Sequence, residues 1–191
     1  MSELHDPWVN VTTYHGFAAD HVISALQKEI RRNHAENACL LAYEFVMTSS
    51  AMEDYLWQRL KIIAVEDVGF GETMAPVVIN SLFQILSTFD RSVAERKLFA
   101  IHAVRYLCAC HKDRSSDEMI NWIMHEVEKG KVQAEIPDYA LDMHTAAGQA
   151  KGRGIRHFLE EGSQTSPEKK DRDLTYRKRL MKLLETGELG K

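Results

Sequence analysis

An all-α fold is predicted for this 191-residue chain by three observations: apolar residues recur three and four positions apart, prolines occur only at Pro7, Pro76, Pro137 and Pro167, and alternation is confined to residues 9–14. A period near 3.6 lines one stripe of a helix, whereas a half-buried strand alternates every second residue.

Asp20 is placed to cap a first helix that carries Val22, Ile23, Leu26 and Ile30 and ends near Asn33. A second, from about Ala35 to Thr48, directs Ala38, Leu41, Ala42, Phe45 and Val46 inward, and Ser49 or Ser50 offers the next cap. The third carries Leu56, Leu60, Ile63 and Ala64 and stops at Gly69 and Gly71, because glycine enters the left-handed conformation that closes helices without a Cβ penalty. Pro76 suits the first turn of a fourth helix, where its missing N–H is not needed; Val78, Leu82, Ile85, Leu86 and Phe89 face the core. After a restart at Asp90 and Ser92, a fifth helix holds Leu98, Ile101, Val104, Leu107 and Cys108. The sixth opens at Ser115 or Ser116, places Met119, Ile120, Ile123, Met124 and Val127 inward, and ends at Gly130. Short connections join antiparallel neighbours, so about six helices form one array.

Beyond Pro137 the texture becomes glycine-punctuated and basic, with a polar spacer, 163–173, before a terminal helix over about 174–184. The expected organisation is an N-terminal arm, 1–18, a helical domain, 19–142, and an appended tail, 143–191. Net charge is −4, but residues 151–191 carry 11 Lys+Arg against 7 Asp+Glu, leaving 13 against 21 for the remainder. An acidic body is a poor polyanion binder as a whole, so DNA contact, if made, falls to the tail: Arg153, Arg156, Arg177, Lys178, Arg179 and Lys182 are the candidates. The three cysteines give no disulfide framework. No apolar run is long enough to span a membrane and no leader pattern opens the chain, so a cytoplasmic location is expected.

A P-loop needs a glycine-rich turn ending in Gly-Lys-Ser/Thr to cradle phosphates and hold magnesium. The two Gly-Lys pairs, Gly130-Lys131 and Gly190-Lys191, are followed by Val132 and by the end of the sequence. ATP turnover of that type is therefore not expected, and neither a cofactor nor a metal is predicted.

Two separated stretches, Ile23-Ser24-Ala25-Leu26-Gln27-Lys28-Glu29-Ile30-Arg31 and Arg59-Leu60-Lys61-Ile62-Ile63-Ala64-Val65-Glu66-Asp67-Val68-Gly69, carry a family resemblance. With Ala103, Tyr106, Leu107, Ala109, Lys112, Gly130 and Ile136-Pro137 downstream, they resemble the C-terminal collar of the RarA/MgsA branch of AAA+ ATPases, related to the Werner-helicase-interacting protein. The similarity covers roughly residues 20–142. It implies a clamp-loader-type collar that assembles as a tetramer, and partners in replication or repair such as single-strand-binding protein or a separate ATPase. With no ATPase segment in the sequence and Met1 opening it, a stand-alone collar is expected. Arg59, Glu66, Asp67 and Gly69 are its structural signature.

Glu66-Asp67 could be an acidic catalytic or metal pair, but successive helical residues point about 100° apart; one bonding Arg59 or a helix end while the other faces solvent is the simpler expectation. Cys108-Ala109-Cys110-His111 has zinc-ligand chemistry but no second pair at finger spacing, so buried thiols are expected. The tail concentrates Asp142, His144, His157 and Glu161 among glycines. These are candidate catalytic residues, through an approach of Asp142 to His144 across the glycine hinge and a His157–Glu161 pair on one helix face; a solvated glycine connector is the alternative. Trp8, Trp57, Trp122, Tyr14, Tyr43, Tyr55, Tyr106 and Tyr139 could stack bases, though their helical spacing favours packing or a subunit interface. Three functions follow: a non-catalytic oligomerisation or adaptor protein, a single-strand or fork DNA binder acting through the basic tail, and a small enzyme centred on His144 and His157.

Overall fold

The computed structural model describes residues 7–189 and is all-α: the six helices expected from periodicity are present, and no strand occurs among the described residues. Residues 1–6 of the expected N-terminal arm, and the Gly190-Lys191 pair, lie outside the described residues. Two compact units are present, Met1–Lys131 and Val132–Lys191.

In the first unit, α1 (Ala19–Arg31), α2 (Ala35–Thr48), α3 (Ser50–Ile63), α4 (Ala75–Leu86), α5 (Glu95–Ala109) and α6 (Ser115–Glu128) follow one another through short connections. Helix α2 is central and packs on α1, α3 and α5. Ser49 caps α3, its hydroxyl accepting from the Met52 amide at 3.1 Å. At the start of α1 the cap is Ala18, with no side-chain bond; Asp20 sits two residues too late, within the first turn, and accepts from the His21 amide instead. The 9–14 segment forms only an isolated bridge, Thr12 to Ala18, and the Trp8 ring rests on Tyr55 with centroids 5.0 Å apart.

The core gathers Leu26, Ile30, Phe45, Leu56, Trp57, Leu60, Ile63, Ile79 and Leu107, all fully buried. Burying a side chain of this size is worth about 1.5–3 kcal/mol. Three expectations fail. Ile85 on α4 is exposed, because that helix buries the line Ala75, Ile79 and Leu86. Leu98 is exposed because the buried residue in the first turn of α5 is Arg96. Arg96 donates to the Glu53 carboxylate at 2.8 Å and to the Leu86 and Phe89 carbonyls at 3.0 Å each, so its charge is neutralised and its donors are satisfied. The third concerns α6: Met119, Ile120, Ile123, Met124 and Val127 do not enter the core, and no residue of this helix is buried.

The second unit is built from short pieces: a turn at Asp138–Ala140, α7 (Ala146–Ala150), α8 (Ile155–His157) running into a wider π turn at Phe158–Gly162, and α9 (Thr175–Glu185). Its fully inward apolar residues are Leu159 and Leu184. Polar clasps hold the rest together.

Candidate functional site

The Arg59 to Gly69 stretch ends in a π turn, Ala64–Val68, that continues α3. A π turn rotates following side chains out of α-helical register and recurs at functional positions. Here it turns Asp67 completely inward. The Asp67 carboxylate accepts from Arg114 at 2.6 Å, from Gln27 at 2.8 Å and from Arg31. Glu66 accepts from Gln27 at 2.7 Å and, at longer range, from Arg31 and Arg114. Both carboxylates therefore belong to one network, and neither simply faces solvent. Arg59 does not reach them directly; it donates to the Gln27 carbonyl oxygen, and the amide of Gln27 carries the link onward. Gln27 and Arg31 stand four residues apart on one face of α1, a spacing legible in the sequence. Arg114, nearly fifty positions from Glu66, is joined by tertiary structure alone.

Two glycines let the 111–114 segment approach this turn. Gly69 has φ +50, and a Cβ there would sit 2.3 Å from the Asp113 carbonyl oxygen; one on Gly71 would sit 2.5 Å from that of His111. The Asp113 amide in turn donates to the carbonyls of Asp67 and Val68, each at 3.1 Å. Arg114 then bridges to Asp117 in the first turn of α6. The signature thus grips the start of α6 and fixes how that helix leaves the body.

Along α6 the apolar residues span an arc of about 140° at 100° per residue. Their exposures run from 38% at Ile123 to 63% at Met119. The patch is on the scale of a few hundred Å² at which exposed apolar surface marks an interaction site. At its base, Ile62 and Val65 face Ile120 across an open groove of about 400 Å³. Trp122 is exposed as well. Of the other aromatics, Trp57 is buried while Tyr14, Tyr43 and Tyr139 are exposed, so packing does not account for all of them.

Cys108 is buried, and burial pushes its thiol up to about 11; Cys39 and Cys110 are part-buried and raised for the same reason. Among the described residues, no group of three or more His, Cys, Asp or Glu side chains is placed to hold a metal ion.

In the second unit, Asp142 and His144 meet. The His144 amide donates to one Asp142 oxygen at 2.9 Å, and the ring Nδ1 lies 3.1 Å from the other. The backbone bond from His144, then its ring, hold the Asp142 carboxyl below the usual range. This approach is local rather than made across the glycines. The His144 ring stands edge-on to Phe158 at 5.2 Å, and the Nδ1 of His157 is buried without a hydrogen-bond partner. His157 and Glu161 line one open cleft of about 880 Å³ with Arg156 and Glu160.

The basic candidates divide. Arg153 donates to the Asp138 and Leu141 carbonyls at 2.6 and 2.8 Å and pairs with the Asp138 carboxylate. Arg177 donates to the Leu159 carbonyl at 2.7 Å. Both side chains are engaged by groups of the second unit itself. Arg156 pairs with Glu160 at 3.0 Å. Lys178, Arg179 and Lys182 are exposed and form no ion pair among the described residues.

No helix among the described residues is long and apolar enough to cross a membrane. A comparison with curated proteins finds no match. A comparison with protein families matches residues 35–170, which takes in the π turn, the signature glycines, α6 and the Asp142–His144 cluster. This chain belongs to the MgsA AAA+ ATPase C-terminal family.

Proposed function

We propose that the chain is a non-catalytic oligomerisation and adaptor module linked to DNA replication or recombination-repair, with self-association as its primary act. The observation that carries this reading is α6: five apolar residues on one arc of a helix that is gripped at one end and has no buried residue call for a partner surface. Family membership supports the same reading, because a collar acts by joining subunits. Light scattering coupled to size-exclusion chromatography tests it. A mass of two or more chains is expected, and a strictly monomeric species at about tens of micromolar overturns it.

A second reading, small-molecule chemistry centred on His144 and His157, is favoured by one observation: the unpartnered buried Nδ1 of His157 beside the Asp142–His144 pair. Metal analysis of purified protein, with His144→Ala and His157→Ala, tests it; no bound metal and unchanged behaviour in both variants remove it. A fork-DNA role rests on Lys178, Arg179 and Lys182. Truncation after Ser163 that leaves DNA affinity and its salt slope unaltered removes that one.

A further inference from the structure

We propose that the apolar stripe of α6 in one copy receives the basic helix α9 of a second copy, an inference that rests on the self-association reading above. On α6 the stripe is bordered by Asp117, which pairs with Arg114, and by Glu126, which pairs with Lys131, with Glu118 and Glu128 beyond; the helix itself carries these four carboxylates and no Lys or Arg, so its margins are acidic on balance. Pairing α6 with another α6 would set these margins against each other. A basic partner fits.

Helix α9 has the matching character. Its inner face is spent within its own unit, with Leu184 buried and Arg177 donating to the Leu159 carbonyl. About 100° around the helix, Tyr176, Leu180 and Leu183 recur at four and three positions and form a second apolar line. Tyr176 is 69% and Leu180 39% exposed. Arg179 borders this line and stacks over the Tyr176 ring at 5.3 Å; Lys182 and Lys178 follow beyond it. At 1.5 Å per residue, the 11 residues of α9 fit within the length of the 14-residue α6. Apolar line meets apolar stripe and cationic margin meets acidic margin, the arrangement in which charge selects the partner and its register.

The contact joins two different surfaces, so it closes either as a two-fold dimer with two equal contacts or as a ring. Mixing distinguishes it from other modes of assembly. Ile123→Glu disables α6, and Tyr176→Glu disables the outer line of α9. Neither side chain is buried, and unchanged circular dichroism checks that each variant folds. By light scattering of the full chain, each variant alone is expected to fall to the mass of one chain. An equimolar mixture is expected to recover a two-copy species, because one intact α6 meets one intact α9 only when they belong to different copies. Raising salt should weaken assembly of the unaltered protein. A variant that keeps the parental mass, or a mixture that stays at the mass of one chain, overturns this pairing while leaving self-association standing. If the unaltered protein is itself a single chain, it is the self-association reading that has failed.

Discussion

Asp67 and Arg114 are joined across the base of α6 by a 2.6 Å hydrogen bond, with the carboxylate fully buried and the guanidinium part-exposed. Removing the acid takes the closest carboxylate from two cations, leaving Arg31 only its longer contact to Glu66 and Arg114 its contacts to Glu66 and Asp117. Asp67→Ala is therefore expected to cost about 3 kcal/mol, at the lower end for a broken buried pair because the arginines retain some solvent. Urea unfolding checks the cost, and hydrogen exchange should quicken at residues 115–118 more than in α2.

Gly69 and Gly130 both have positive φ, +50 and +66, but a Cβ at Gly130 meets nothing within 4 Å while one at Gly69 strikes the Asp113 carbonyl. Gly130→Ala should lose about 1 kcal/mol, the strain of the backbone conformation alone. Gly69→Ala should lose about 3 kcal/mol or more, since the 111–114 segment must also move. Equal losses in thermal unfolding would refute the close-approach explanation.

Asp138 is held down to about 2, by hydrogen bonding to Lys151 and then to Arg153. For a carboxyl lowered on folding, the stabilisation is complete above the unfolded value of 3.8 and is lost as pH falls through that value toward 2. Structure in the second unit should thus be insensitive to Asp138 ionisation at neutral pH and weaken below about pH 4. Asp138→Asn should reproduce that loss at pH 7. Titration followed by carboxyl NMR shifts checks both.

The thiol of Cys108, raised to about 11 by burial, holds almost no thiolate at pH 7 and is screened from reagents. Disulfide-exchange reagents should modify Cys39 and Cys110 first and Cys108 only on a timescale set by opening of the fold. In denaturant all three should react alike. Rapid labelling of Cys108 in the folded protein would contradict its position on the inner side of α5.

Several features could be read directly from residue order. The six body helices follow the 3.6 period, Ser49 caps where a hydroxyl precedes a good helix, and Pro76 sits in a first turn. Asp142 and His144 were expected to approach across the glycine hinge, whereas, two residues apart, they meet through a local turn.

What tertiary structure alone decided is which apolar stripes find a partner and which charges are used internally. Periodicity assigned α6 an apolar face, and that face exists, but a stripe records only that burial is favourable and says nothing of what covers it. Arg96 entered the core because Glu53 and two carbonyls, brought in from other elements, cancelled its desolvation cost. Arg153 and Arg177 were drawn into backbone clasps, while Lys178, Arg179 and Lys182 stayed at the surface. Local preference is a property of neighbouring residues; pairing is a property of distant ones, and only the folded chain brings them within reach.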